Sequence, residues 1–145
     1  MRFRSDPTGY PKCYNTLMTD KESVIKFWFT SSGDDLDTAE KLFVSKKYHH
    51  ALYFCQLAVE NRLKGLIVSR LDKPVKHTHD LILLSQQLDI DISPEHLEQL
   101  RNITKFNLEA RYDTFKREFY KKATREYAEE WLKITQEILI WLQKN

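Results

Sequence analysis

Glycine and proline are scarce in this chain of 145 residues, with Gly 3 and Pro 4. Sheet proteins built on many tight turns draw on both, so the shortage argues against a β-rich fold. Cysteine is scarce too, with Cys 2, which excludes a disulfide framework. Cys55 falls on an apolar stripe and is expected to pack as a small hydrophobe, whereas Cys13 lies in a Pro-containing N-terminal stretch. No apolar run approaches the roughly 18 residues that span a bilayer, and no signal peptide is expected before the domain. The expected setting is therefore cytoplasmic, without membrane contact. An excess of one charge is also missing: the formal net charge is +2, so global charge points to no particular partner. The chain has no G-x-S-x-G, no Gly-rich phosphate loop and no paired-carboxylate motif. His77 and His79 form an H-x-H pair and His49-His50 are adjacent, but no Cys/His spacing supplies further zinc ligands. No metal and no cofactor are expected.

What remains is helix-forming sequence. Charged residues make up 30% of the chain and recur with helical period, which indicates one all-α domain. Residues 1–18 read as an irregular N-terminal segment, punctuated by Pro7, Gly9 and Pro11. Residues 19–145 read as an up-and-down bundle of about five helices. Thr19 and Glu22 form a capping box for a first helix to Val44, read either as one helix with a weak point near Gly33 or as two short helices. Ser45 is the expected N-cap of a long second helix, whose apolar residues include Tyr48, Leu52, Cys55, Val59, Leu63, Ile67 and Leu71. Its opposite face carries Gln56, Glu60 and Lys64, spaced by four, and reads either as a solvated face or as a place that carries chemistry. Pro74 ends that helix, and Thr78 is the expected cap of a short third one. Ser93-Pro94 opens a fourth, burying Leu97, Leu100 and Ile103. Residues 107–123 are ambiguous, and Tyr127, Trp131, Ile134, Ile138 and Trp141 mark the last helix.

Two further places could carry chemistry. His79-Asp80 stands at a helix start, where the pair serves either as a cap or as part of a site. From Arg111 to Arg125, six basic residues face two acidic ones, a local charge of +4, interleaved with Tyr112, Phe115, Phe119 and Tyr120. That mixture suits either phosphate contact with base stacking or a solvated segment whose aromatics face the core.

The stretches Lys47-Tyr48-His49-His50-Ala51, Gln56-Leu57-Ala58-Val59-Glu60, Thr78-His79-Asp80-Leu81 and Ala110-Arg111-Tyr112, followed by the last amphipathic helix, resemble in order and spacing the HEPN family (higher eukaryotes and prokaryotes nucleotide-binding domain). The resemblance covers roughly residues 36–142. It implies a bundle of about five helices that pairs as a homodimer and works beside a minimal nucleotidyltransferase. Some members are toxins of toxin–antitoxin pairs that cleave RNA, and others bind nucleotides without catalysis. In the nucleases a late helix carries Arg, four to six residues, then His. Here Arg101 is followed by Phe106 at the His position, and no His follows Arg111 as far as Glu118. Arg70 and His77 satisfy the spacing only in a Pro-containing loop, and Asp113 stands where the family often has Pro.

The resemblance thus implies a non-catalytic domain that binds a nucleotide or an RNA phosphate. Its site residues would be His79 and Asp80 at a helix N-terminus, Arg111 pairing phosphate through its fork, Tyr112 or Phe115 stacking on a base, and Lys64 adding charge. Two alternatives stay open. One is a metal-independent endoribonuclease of the toxin type. The other is a helical interaction module without a small ligand, with Trp131 and Trp141 on its binding stripe.

Overall fold

The computed structural model describes residues 20–145 except Asp72 and Tyr112, and leaves aside the side chains of residues 113–115. The expectations for residues 1–18, for Thr19, and for stacking by Tyr112 or Phe115 lie outside the described residues. The described residues form six helices and no strand: α1 (Lys21–Val44), α2 (Tyr48–Arg70), α3 (Leu81–Gln87), α4 (Pro94–Arg111), α5 (Asp113–Lys122) and α6 (Arg125–Lys144). The expected all-α bundle is present, with the ambiguous stretch resolved into the end of α4 and a separate α5.

α1 begins one residue later than the capping box implied, because the Asp20 side chain accepts the Ser23 N–H at 2.6 Å. It runs unbroken through Gly33. Its partner is α2, the largest helix pairing among the described residues, and the Ser32 hydroxyl donates to the Ala58 carbonyl at 2.7 Å across the interface. Gly65 is the notch that lets the two helices close: a Cβ there would lie 2.5 Å from Phe29 Cε1. The turn between them corrects the expected role of Ser45. Lys46 takes φ 60°, Lys46 N–H donates to Phe43 O, and Lys47 N–H donates to Leu42 O. This is a Schellman closure with Lys at the left-handed position, so Ser45 ends α1 instead of capping α2.

α2 is the axis of the bundle. It packs against α1, α6, α4 and α3, and Leu52, Val59, Leu63 and Ile67 are fully buried. Being surrounded, it is buried around its circumference and not along one stripe. The expected solvated face is therefore wrong: Gln56 is 0% and Glu60 4% exposed. The rest of the core comes from Leu81 and Leu84 of α3, Leu100, Ile103 and Phe106 of α4, Phe119 of α5, and Ala128, Ile138 and Leu142 of α6. α6 starts as expected at Thr124, whose hydroxyl accepts the Tyr127 N–H at 3.2 Å. Ser93 likewise accepts the His96 N–H before Pro94.

Candidate functional site

A carboxylate buried at the centre of a helical bundle needs compensation, since isolated charge in the interior is costly. Glu60 receives it from three directions. Lys64 Nζ donates to Oε1 at 2.7 Å, and Gln56 Nε2 donates to Oε2 at 2.7 Å, both one helical turn away on α2. His79 Nδ1 lies 3.2 Å from Oε1 and 3.1 Å from Oε2, brought there by the loop before α3. Burial would raise the Glu60 pKa, but the Lys64 charge and the hydrogen bonds from Lys64, Gln56 and His79 outweigh it and hold the carboxyl below its ordinary range. An ionised carboxylate only accepts, so the contact requires a proton on His79 Nδ1. The imidazole, with its side chain half exposed at 50%, is thereby fixed with Nε2 left for solvent or a ligand.

Gln56 ties this centre to its surroundings. Its amide also donates to the His79 carbonyl at 3.1 Å, and its oxygen accepts from Asn107 Nδ2 of α4 at 3.1 Å. Lys64 is mostly buried, and its ammonium sits 5.4 Å from the centre of the Trp28 ring. The Trp28 indole N–H is buried without an acceptor among the described residues. A chain of polar groups thus runs from α4 through α2 to the α3 loop, with one imidazole at its solvent end.

Of the two roles open to it, Asp80 takes the cap. Its side chain accepts from the Ile82 N–H at 2.9 Å and the Leu83 N–H at 3.4 Å, capping α3. Thr78, the expected cap, instead accepts from the Asp80 N–H, and Thr104 of α4 accepts from the Leu81 N–H at 3.1 Å. Asp80 makes no ion pair with Arg111 among the described residues. With its first N–H groups already satisfied, the start of α3 is not a free phosphate cradle.

Arg111 is exposed at the last residue of α4, one turn beyond Asn107. That spacing puts it on the side of α4 that faces the Gln56 network, without joining it. Tyr112 lies outside the described residues. The basic tract resolves into a surface: Lys116, Arg117, Lys121 and Lys122 are exposed on α5, while Phe119 is buried and Tyr120 is 66% exposed. The tract also reaches back to the start of α2, where the His49 ring meets Tyr120 at 5.0 Å.

Phe106, at the position where the nuclease motif would place His, is a core residue packed against Phe119, Tyr127 and Trp131. Arg101 pairs with Glu98 on the surface of α4. Of the expected site residues, His79 and Lys64 meet at Glu60, Asp80 supports them through the backbone, and Arg111 stands apart. Asn107 and Thr104 were not foreseen. The available signal was Leu100, Ile103 and Asn107, where a polar residue continues an apolar stripe.

Comparison with known proteins gives a consistent picture. The model of the HEPN domain family matches residues 25–145. Among curated proteins nothing matches this chain. The crystal structure of TT1696 from Thermus thermophilus superposes with a TM-score of 0.73 at 25% sequence identity, over 83% of this chain and 96% of that one.

Proposed function

The chain belongs to the HEPN domain family, and from that premise we propose that it is a non-catalytic member that binds the phosphate of a nucleotide or an RNA. The observation that carries this reading is the clamped His79: Glu60 holds its ring, Gln56 holds its carbonyl, and Nε2 remains available at the surface. A preorganised side chain loses little freedom when a ligand arrives. Lys64 holds the charge state of Glu60, and Arg111 supplies a guanidinium fork from the end of α4. Tyr112 is assigned to base stacking next to it. The domain acts as a homodimer together with a minimal nucleotidyltransferase.

The first experiment is a melting series with nucleotides at millimolar concentration. A ligand at 100 times its dissociation constant adds about 2.7 kcal/mol, a shift of several degrees for a domain of this size. The shift should disappear in His79→Ala and in Arg111→Ala. Absence of a shift with every nucleotide and with short RNA would sink the reading.

One observation favours a second reading. An imidazole whose Nδ1–H is held by a carboxylate presents Nε2 as a general base, which could take the proton of an RNA 2′-hydroxyl. Phe106 in the core tells against the usual nuclease arrangement. RNA cleavage by the purified protein, lost in both His79→Ala and Arg111→Ala, would establish this reading. Equal activity in both variants would indicate contamination.

A further inference from the structure

We infer that a cleft between α1, α2 and α6 is a second ligand site, which takes a small carboxylate with an apolar body. The cleft has a volume of about 470 Å³, within the range of small-molecule sites. Its walls are Phe29 and Leu36 of α1 and Leu139 and Ile140 of α6, with the amide of Gln143 at the edge. Arg62 is the charged residue that lines it, and no carboxylate does.

Arg62 is a cation in want of a partner. Its guanidinium carbon lies 4.3 Å from the centre of the Phe29 ring, and its Nε is buried without an acceptor. It forms no ion pair among the described residues. Two acids of α1 are engaged elsewhere: Asp35 accepts from Asn61 at 2.7 Å, and Glu40 accepts from Gln136 at 3.0 Å. A half-buried guanidinium without a counter-ion is an electrostatic demand for an anion, and burial lowers the Arg62 pKa with no charge to offset it.

The anion is identified by what surrounds the charge. One guanidinium neutralises one negative charge, and paired guanidinium N–H donors match the two oxygens of a carboxylate. A phosphate dianion would keep an uncompensated charge against hydrocarbon walls. The walls suit an alkyl chain or an aromatic ring, and Ile140, 53% exposed, extends that apolar surface outward. The site is separate from the His79 centre. Arg62 stands two residues from both Glu60 and Lys64, a spacing that turns side chains to opposite sides of a helix. A ligand here would bear on the same helix from its other face.

The test is a two-dimensional amide NMR titration of the full chain with octanoate and 3-phenylpropionate, using 1-octanol as the uncharged match. Saturable shifts are expected in residues 29–36 and 136–143, with octanol at least tenfold weaker than octanoate. Arg62→Gln should weaken octanoate at least tenfold. Gly33→Leu is the second variant, at a cleft-lining position where an added Cβ meets nothing within 4 Å. It places a side chain in the cleft and should abolish binding. Equal binding of octanol, undiminished binding in either variant, shifts confined to the His79 face, or no saturable binding would each overturn the assignment. A change of oligomeric state in Gly33→Leu without carboxylate binding would also overturn it, by making the cleft an interface between copies.

Discussion

Replacing Glu60 by Gln preserves shape and removes the charge that Lys64 and His79 both face. The carboxylate side chain is 5% exposed and the Lys64 side chain 14%, so the ammonium would be left nearly buried beside an amide. Breaking a buried pair by removing one partner costs about 3–5 kcal/mol. Lys64 can move its ammonium toward water along its flexible stem, which places the expectation near the lower end, about 3 kcal/mol. For a domain of this length that corresponds to a fall in Tm of roughly 6–12 °C. A double replacement, Glu60→Leu with Lys64→Met, removes both charges together and should cost less than Glu60→Gln alone, the remaining cost being the acceptor that Gln56 and His79 lose. The pH dependence gives an independent readout. The folded Glu60 pKa is depressed, so its contribution is complete above the unfolded carboxyl value of about 4.3 and is lost as pH falls through the lower folded value. The gap in stability between the parent and Glu60→Gln, measured by urea unfolding from pH 7 to pH 3, should therefore narrow below about pH 4. A variant melting within about 2 °C of the parent at pH 7, or a gap constant down to pH 3, would refute the reasoning.

Gly33→Ala and Gly65→Ala should move stability in opposite directions, because an Ala at residue 33 meets open space whereas one at residue 65 meets Phe29. A gain of about 0.5–1 kcal/mol at Gly33 and a loss of about 1–2 kcal/mol at Gly65 are expected in thermal melts, and a reversal would overturn the described pairing of α1 with α2. The Cys55 thiol is pushed up to about 12 by burial. In a Cys13→Ala background it should stay unlabelled by an aromatic disulfide reagent at pH 8 until the protein unfolds, and prompt labelling would contradict its burial. Thr124→Ala removes the cap of α6 and should cost about 1 kcal/mol in the same melts, with no loss indicating that the cap is idle.

The helices were legible where apolar spacing and caps agreed, as at Ser93-Pro94 and at Thr124 before Tyr127. Gly33 reads as a weak point by propensity alone, and tertiary contact overrides it through Ser32 and the Gly65 notch. Ser45 misleads because the left-handed residue of the turn is Lys46, where Gly would have signalled the end of α1. The site was legible in part. His79 and Lys64, which contact Glu60, stand out in short motifs, but Glu60 and Gln56 read as solvated because a one-stripe reading cannot see that α2 is surrounded by other helices. Asn107 is invisible locally, since its partner Gln56 lies 51 residues away.

α3 has seven residues, fewer than an isolated helix needs to persist in water. It exists because Asp80 caps it, Thr104 holds its first N–H, and Leu81 and Leu84 are buried beneath it. His79 lies one residue before that cap, so local unfolding of α3 would carry the imidazole away from Glu60. The population in which His79 meets Glu60 is then the population of folded α3, a unit that can open well below the global unfolding free energy. A ligand bound at His79 would slow amide hydrogen exchange along residues 81–88 even where it touches none of them.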